Sequence, residues 1–295
     1  MPAAPVSVSI VIPVRDEAES IAGVVQEVDA ALAGRTFEVI VVDDGSRDGT
    51  WSVLERLAAD RPSSSFGAVR LRQRAGKSAA LAAGVARCRA DIIVTLDGDG
   101  QDDPAEIAPM MALLDAGEGA DVVVGWKQHR IDSWSRRAQS RIFNVAVSLA
   151  TGVNLRDHNS GLKVARAEVF REVPLYGELH RFFTVLAHSR GFRLRETPVK
   201  HRARSAGRSK YGAGRAFYGL LDLLLVRALL AFDGRAHYLL GALGLALLTA
   251  GTIALAYLGS TWLDFRLNGG DYKPLTERPL TIYAATALML GAQLM

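Results

Sequence analysis

Residues 7–125 alternate between two kinds of segment, and this alternation restricts the fold more than any other feature of the chain. Five apolar runs rich in β-branched residues are typical of buried strands: SVSIVIP, FEVIVVDD, FGAVRLR, DIIVTLD and DVVVGW. Segments with helical spacing lie between the runs, at about 18–33, 48–60, 77–88 and 104–116. Strands that alternate with helices predict an α/β fold in which helices cover both faces of a parallel sheet.

Polar clusters follow three of these strands: PVRDE after the first, DDGS after the second and DGDGQDD after the fourth. The carboxyl ends of parallel strands meet at one rim, where α/β sheets bind ligands, so we expect the clusters to share that rim. The cluster after the fourth strand holds Asp97, Asp99, Asp102 and Asp103, and such close like charges predict a bound cation. For Asp102 and Asp103 we favour a solvated turn that caps the helix beginning at Pro104.

Asp97 and Asp99 leave the fourth strand two residues apart, so both side chains face the same side. Carboxylate oxygens select hard cations, which predicts Mg²⁺ or Mn²⁺. Gln101 adds a neutral oxygen, and Gly98 and Gly100 allow a ligand to approach closely. The sequence holds no His/Cys cluster, which argues against zinc.

The stretch VVDDGSRDGT is a second acidic strand end. Asp43 and Asp44 can hold a base or ribose hydroxyls by accepting hydrogen bonds, and Asp48 is placed to cap a helix. The first strand is not followed by GxGxxG, and the sequence contains no GxxxxGK[ST]. The dinucleotide-binding and P-loop interpretations therefore lack their fingerprints.

Residues 125–235 form a basic second part with a net charge of +13, whereas residues 1–124 carry −9. A basic segment suits an anionic partner, which can be nucleic acid, a phosphorylated substrate or a membrane surface. The pattern in this part predicts helices near 134–151 and 178–190 and strands near 161–166 and 193–199.

The last third of the chain points to a membrane. Residues 216–232 predict an amphipathic helix in a membrane interface, with a buried core helix as the alternative. Residues 236–259 carry no charge and are long enough to span the hydrocarbon. The uncharged run from Pro279 to Met295 is marginal for a second span, and we expect the natural chain to continue beyond it. The positive-inside rule predicts a cytoplasmic large domain and an external Ser260–Arg278 loop, and the single Cys88 agrees.

Four segments together resemble the family 2 glycosyltransferases of the GT-A fold: SIVIPVRDE, VVDDGSRDGT, GKSAALAAGV and TLDGDGQDDP. The later segments SRRAQSRIFN, DHNSGLKVARAEVF, ELHRFF and RSAGRSKYG narrow the resemblance to the polyprenyl-phosphate glycosyltransferases. That group includes dolichol-phosphate mannose synthase and the bacterial bactoprenol glucosyltransferases. The resemblance covers essentially the whole chain, and the order and spacing of the motifs carry it.

The resemblance implies a metal-dependent, inverting glycosyltransferase of the plasma membrane. It would move a sugar from a UDP- or GDP-sugar to polyprenyl phosphate, such as undecaprenyl or dolichyl phosphate, giving a sugar donor for cell-envelope or glycan assembly. A homotetramer is plausible by the same resemblance. The implied organisation is a cytoplasmic GT-A catalytic domain, interfacial helices and a two-helix transmembrane region: residues 1–210, 211–235 and 236–295.

The family pattern also assigns residues to the donor side. The nucleotide site would comprise Pro13, Val14, Asp16, Glu17, Asp44, Gly76, Lys77 and Asp97. The metal, Mg²⁺ or Mn²⁺, would be bound by Asp97, Asp99 and Gln101 and would bridge the donor diphosphate. The chain departs from the pattern at Arg74, where Asn is common, and at Gly100, where a bulkier residue is common.

The acceptor in this interpretation is a phosphate monoester, whose second pKa of about 6 makes it mostly dianionic at neutral pH, so a strong general base is optional. Holding two anions together requires Arg and Lys. Arg136, Arg137 and Arg141 lie on one predicted helix, where Arg137 and Arg141 share a face. The acceptor and diphosphate site would comprise Arg137, Arg141, Ser160, Arg181, Arg204, Ser209 and Lys210. For any single arginine, the alternative is a contact with solvent or a lipid headgroup.

Asp157 is the remaining acid near the expected reaction centre, and with Asp99 it is the predicted catalytic pair. It can act as a base or orient an arginine. We expect three histidines to be structural: His158, His180 and His201. Of these, His180 in ELHRFF is the one most expected to matter, through its position rather than through proton transfer.

Three other functions compete with this interpretation. A processive polysaccharide synthase of the same fold typically carries Gln-x-x-Arg-Trp, and ELHRFF stands in its place. A membrane-tethered nucleotide-binding module without activity would not need the set Asp97, Asp99 and Gln101. A nucleic-acid binder would interleave aromatic residues with its basic residues, and this chain does not.

Overall fold

The computed structural model describes residues 6–63, 65–117, 119–128, 134–203, 215–232, 236–269, 274 and 277–295. The chain divides into two compact units, Met1–Arg227 and Ala228–Met295. The first unit contains a sheet with its covering helices, and the second consists of long apolar helices.

A seven-stranded sheet organises the first unit. Its strands are β1 (Val8–Val14), β2 (Phe37–Asp43), β3 (Phe66–Arg70), β4 (Ile92–Thr95), β5 (Val122–Lys127), β6 (Lys163–Arg166) and β7 (Leu194–Val199). They lie in the order β3-β2-β1-β4-β6-β5-β7. The first four strands pair in parallel, as the alternation in the sequence predicts, and β5 pairs in parallel with β7.

Strand β6 makes the sheet mixed, which corrects the expectation of a purely parallel sheet. It runs antiparallel to β4 and to β5, with Thr95 opposite Lys163 and Ile92 opposite Arg166. The chain therefore enters β6 at the rim where β4 ends. The segment that precedes β6 must lie on that rim, which brings Asp157 to the same edge as the acidic cluster.

Helices connect the strands and cover the sheet. The first unit contains α1 (Ile21–Ala31), α2 (Thr50–Ala59), α3 (Lys77–Val85), α4 (Ile107–Asp115), α5 (Trp134–Thr151), α6 (Ala167–Glu172) and α7 (Phe183–Ser189). Short 3₁₀ turns occupy Pro104–Glu106 and Leu179–Phe182, and α8 (Arg215–Phe232) crosses the boundary between the units. The helices predicted at 134–151 and 216–232 match α5 and α8 to within one residue, whereas the short α6 is not predicted.

Strand β1 is buried on both faces, which is typical of a strand inside a parallel sheet. Ile10 belongs to the main core cluster together with Ile21 of α1 and Met110 of α4. Val11 faces the other side and lies against Gly84 of α3, where there is no room for a Cβ. Ser9 is the one polar residue of the strand, and its buried hydroxyl donates to Glu38 Oε1 of β2 at 2.6 Å.

The second unit contains α9 (Ala236–Asn268) and α10 (Pro279–Leu294). These helices pack closely, since a Cβ placed on Gly291 would lie 2.8 Å from the carbonyl oxygen of Gly244. Among the residues described here, Tyr238–Asn268 is the helix with the length and apolar composition needed to cross a membrane. Helix α10 is apolar but has 16 residues, so by length the structure supports one of the two predicted spans.

Candidate active site

The loops that follow β1 and β2 are bonded to each other on the carboxyl rim. The backbone N–H of Asp16 donates to Ser46 Oγ at 2.8 Å, and Arg47 N–H donates to Asp16 Oδ1 at 2.7 Å. Asp16 adopts φ = 50°, in the left-handed region that aspartate tolerates better than most residues. Glu17 N–H donates to Thr50 Oγ1 at 2.8 Å. The two loops therefore form one surface beside Pro13 and Val14.

Asp44 joins this surface to the start of α3. Its buried carboxylate accepts the N–H of Ala75 at 2.6 Å and the N–H of Gly76 at 3.0 Å. Gly76 has φ = 93°, a conformation that glycine adopts without strain. The sequence predicts Asp44 and Gly76 in one nucleotide site, and the structure brings them into direct contact.

Asp97, at the end of β4, is surrounded by lysines. Lys77 Nζ lies 2.5 Å from Asp97 Oδ1. Burial alone would raise the pKa of Asp97, but the charges of Lys77, Lys127 and Lys163 outweigh it and hold that pKa well below its usual range. The carboxylate is therefore ionised at neutral pH, and part of the cation expected beside the acidic cluster is supplied by the protein itself.

Asp97, Asp99 and Gln101 are suited to a divalent ion shared with a diphosphate. Asp99 Oδ1 accepts the N–H of Gln101 at 3.2 Å, and the Gln101 side chain donates to the carbonyl oxygen of Arg202 at 3.5 Å. Within the described ranges, no group of three His, Cys, Asp or Glu side chains surrounds a metal position. Mg²⁺ commonly uses one or two carboxylates and takes its other ligands from substrate phosphates and water, so this donor set fits.

Asp102 is not in a solvated turn, so that expectation is wrong. The residue is 2% exposed, and its Oδ1 lies 3.2 Å from Lys127 Nζ at the end of β5. Burial raises the pKa of Asp102, and Lys127 opposes the shift. Asp103 does act as the predicted cap, because its Oδ1 accepts the N–H of Ala105 at 3.1 Å, and it also pairs with Arg202 at 2.8 Å.

The turn that carries Asp157 and Ser160 packs against Asp97. A Cβ placed on Gly161 would lie 2.5 Å from Asp97 Oδ2, so the backbone of the turn touches the carboxylate. Thr95 Oγ1 donates to the carbonyl oxygen of Gly161 at 2.8 Å. Lys163 Nζ donates to the carbonyl oxygen of Ser160, and burial lowers the pKa of that lysine to about 8. The predicted catalytic acid and the predicted metal ligands thus meet at one site.

The residues predicted to bind the acceptor are placed less uniformly. Arg141 is exposed on α5, and Arg137 belongs to the same helix. Arg181 is buried, with its guanidinium 2.6 Å from Glu178 and 4.0 Å from Asp222 of α8, so two acids of the protein already balance its charge. Three further residues lie outside the described part of the chain: Arg204, Ser209 and Lys210.

Three histidines named in the sequence analysis lie in the described part of the chain: His158, His180 and His201. His158 is buried, its ring contacts Ser148 Oγ at 3.1 Å, and burial lowers its pKa to about 4. His180 contacts Ser78 Oγ through Nδ1 at 3.0 Å, and burial together with nearby cations lowers its pKa to about 2. Both rings are neutral at physiological pH. His201 forms an isolated backbone bridge with Asp102.

Four residues of the site are not singled out by the sequence analysis: Lys127, Asn144, Lys163 and Glu196. Lys163 lies inside the segment DHNSGLKVARAEVF, and Asn144 is the last residue of SRRAQSRIFN. Membership of these family segments is the sequence signal that could identify the two residues. Glu196 on β7 lines a cavity of about 420 Å³ with Trp126, Asn154, Arg156 and Pro198. No local pattern marks Glu196 or Lys127, because their contacts depend on how distant strands are paired.

The mixed sheet with paired aspartates on its carboxyl rim agrees with the GT-A glycosyltransferase class that the sequence resembles, whose members use a nucleotide-diphosphate sugar. Residues 9–174 match the family described as Glycosyl transferase family 2. The chain belongs to that family, which confirms the resemblance seen in the sequence.

Curated relatives extend over nearly the whole chain. It is 35% identical to the dodecaprenyl-phosphate galacturonate synthase of Rhizobium johnstonii, across 99% of this chain and 86% of the relative. It is 33% identical to the undecaprenyl-phosphate 4-deoxy-4-formamido-L-arabinose transferase of Edwardsiella ictaluri, across 97% of this chain and 85% of the relative.

Solved structures share the fold. A glucosyl-3-phosphoglycerate synthase from Mycobacterium tuberculosis, in complex with Mn²⁺, UDP and phosphoglyceric acid, superposes with a TM-score of 0.60 at 22% identity. The match covers 75% of this chain and 78% of that chain. The same enzyme with Mg²⁺ and UDP gives a TM-score of 0.59 at 22% identity, over 75% and 79% of the two chains.

Proposed function

We propose that this protein transfers a sugar from a nucleotide diphosphate to polyprenyl phosphate at a membrane, with the help of Mg²⁺ or Mn²⁺. The observation that carries the proposal is the meeting of the Asp97–Asp99 strand end with the Asp157 turn on one rim. The relatives named for dodecaprenyl and undecaprenyl phosphate support the acceptor. The solved structures with UDP and either metal support the donor and the cofactor.

In the proposed reaction, a phosphate oxygen of the lipid attacks the anomeric carbon of the sugar from the face opposite the nucleotide. The bond between that carbon and the diphosphate oxygen breaks, and its electron pair leaves with the nucleoside diphosphate. Asp99 and Asp97, with Gln101, would hold the divalent ion, whose chemistry when bound is to neutralise the leaving diphosphate. Lys77 lies beside Asp97 and adds a fixed positive charge at the same place.

The protein's remaining task is to hold the acceptor phosphate against the donor. The acceptor is already dianionic at neutral pH, so Asp157 serves better by orienting an arginine that binds the phosphate than by removing a proton. Arg137 and Arg141 on α5 are the proposed cations for the lipid phosphate, with Arg204 and Lys210 closing over the diphosphate. Arg181 could join them only by exchanging Glu178 for the ligand, since it is already paired.

We also propose that residues 1–210 form the cytoplasmic catalytic domain, 211–235 the interfacial helix and 236–295 a membrane region with two spans. The apolar composition of α9 and α10 and their tight glycine contact support a membrane hairpin. Because α9 extends to Asn268, a topology reporter belongs between Gly269 and Arg278, where we expect an external reading.

The function is tested by radiolabel transfer from a panel of nucleotide sugars to undecaprenyl phosphate in detergent. Asp99→Asn should abolish transfer with the active donor, because the substitution removes a charged metal ligand but keeps the size of the side chain. Asp60→Asn is the matched control, since it makes the same change at an exposed aspartate at the end of α2. Full activity of Asp99→Asn, or no transfer by the wild-type protein from any donor, would contradict the proposal.

A further inference from the structure

Two side chains, one from α5 and one from β7, form hydrogen bonds with the backbone of the turn that carries Asp157. Glu196 Oε1 accepts the N–H of Arg156 at 2.7 Å and the N–H of Asp157 at 3.0 Å. Asn144 Nδ2 donates to the carbonyl oxygen of Arg156 at 2.6 Å, and its Oδ1 accepts the N–H of His158 at 3.3 Å. Four main-chain groups in three consecutive residues are therefore bonded to two side chains.

These side-chain hydrogen bonds replace the main-chain hydrogen bonds that a strand or helix would supply. Asp157 and His158 are buried, at 3% and 0% exposure, but the segment belongs to no regular element. Buried main-chain groups require partners, and here side chains provide them. The conformation of the turn is therefore determined by the positions of Asn144 and Glu196 in the fold.

Both side chains belong to regular secondary-structure elements of the first unit. Glu196 lies in β7, where its Cα is paired in register with Val124 of β5. Asn144 is 8% exposed and lies in the middle of α5, three residues after Arg141. The same two residues thus connect the Asp157 turn to the sheet on one side and to the proposed phosphate-binding helix on the other.

We propose that Asn144 and Glu196 are positioning residues that fix Asp157 for transfer to the acceptor. This inference rests on the proposed function, because it gives Asp157 its role at the acceptor. Neither side chain needs to touch a substrate. Their effect is on the angle and distance at which the Asp157 carboxylate meets an arginine that binds the acceptor phosphate.

The chemistry of Glu196 allows a discriminating set of variants. Glu196→Gln keeps an oxygen at the same distance that can accept both N–H groups, although without charge. Glu196→Asp keeps the charge but shortens the side chain by one methylene, so its carboxylate no longer reaches the two N–H groups. Glu196→Ala removes the acceptor. A role in positioning predicts that length matters more than charge, whereas an electrostatic role predicts the reverse order.

The experiment measures turnover and KM for undecaprenyl phosphate and for the active nucleotide sugar, with the full chain in detergent. Glu196→Ala should lower kcat about 100-fold, the usual effect of misplacing a catalytic group by about 1 Å. Glu196→Gln should lose at most about 25-fold, and less than Glu196→Ala, because each of its two hydrogen bonds becomes about 1 kcal/mol weaker. Glu196→Asp should resemble Glu196→Ala, and the KM for the nucleotide sugar should not change.

Asn144→Ala provides an independent variant and should also lower kcat with little effect on the donor KM. The matched control is Arg195→Ala, which removes the neighbouring exposed side chain of the same strand, whose Nη1 bonds the carbonyl oxygen of Ala116 at 3.4 Å. Thermal unfolding of every variant separates lost folding from lost turnover, because a merely structural role would lower the folded fraction and leave kcat per folded molecule unchanged.

Wild-type kcat in folded Glu196→Ala, or a Gln variant no better than the Ala variant, would overturn the inference. These outcomes require an active wild-type enzyme, so they differ from failure of the proposed function, in which the wild-type chain transfers no sugar at all.

Discussion

Substituting Gly161 by alanine should disable the site without removing any functional group. The added Cβ would lie 2.5 Å from Asp97 Oδ2, whereas an ordinary contact begins near 3.4 Å, so one side must move by about 0.9 Å. The turn cannot easily retreat, because Thr95 Oγ1 holds the carbonyl oxygen of Gly161 at 2.8 Å. Overpacking of this kind costs about 1–3 kcal/mol of stability. A displacement of Asp97 by nearly 1 Å should lower kcat about 100-fold.

The assay compares sugar transfer and Mn²⁺ affinity, the latter by electron paramagnetic resonance without donor, in Gly161→Ala and in Gly23→Ala. Gly23 lies in α1 with nothing within 4 Å of an added Cβ, so its variant should behave as the wild type. The Gly161 variant should lose turnover and bind Mn²⁺ more weakly. If it transfers sugar at the wild-type rate and binds Mn²⁺ normally, the turn does not press on Asp97 and the described geometry of the site is refuted.

Three further perturbations test other parts of the structure. Lys77→Ala should raise Mn²⁺ affinity about tenfold in donor-free protein, since it removes a positive charge beside Asp97; an unchanged dissociation constant would contradict this. Burial lowers the pKa of His158 from 6.5 to about 4, so its contribution to stability is complete above pH 6.5 and lost as the pH falls towards 4. Of the full loss of about 3 kcal/mol, about 2 kcal/mol falls between pH 7 and pH 5, so the unfolding temperature should decrease over that range, and less steeply in His158→Gln. Gly291→Leu should separate α9 from α10, measured as increased protease cleavage in detergent, because its Cβ would meet the carbonyl oxygen of Gly244 at 2.8 Å.

The donor side of the site could be predicted from the sequence because its signals are local. Asp97 and Asp99 directly follow an apolar run that predicts a buried strand, and the rim follows from the direction of parallel strands. The prediction of a solvated turn is wrong for Asp102 because Lys127, which neutralises it, lies on β5 and reaches it only across the folded sheet. A charged residue beside a glycine-rich turn looks solvated until its distant partner is known.

The acceptor side depends on contacts that no local pattern records. Glu196 reaches the Asp157 turn only because β7 adds beside β5, and the turn lies on the rim only because β6 is antiparallel. The pairing of Arg181 with Asp222 similarly requires α8 to pack beside the Leu179–Phe182 turn. Sequence spacing predicts elements and strand ends, whereas these contacts are determined by tertiary topology.

The position of β6 between β4 and β5 has a consequence for synthesis. In the described sheet the ladder partners of β5 are β6 and β7, so β5 cannot join the growing sheet when it leaves the ribosome. Strands β1 to β4 can assemble first, and β4 then remains an unpaired edge until Lys163–Arg166 has been made. Such edges are templates for mispairing, so the nascent chain is most exposed to aggregation during this interval. The part of the sheet that carries the proposed nucleotide site is therefore formed before the part that carries the proposed acceptor site.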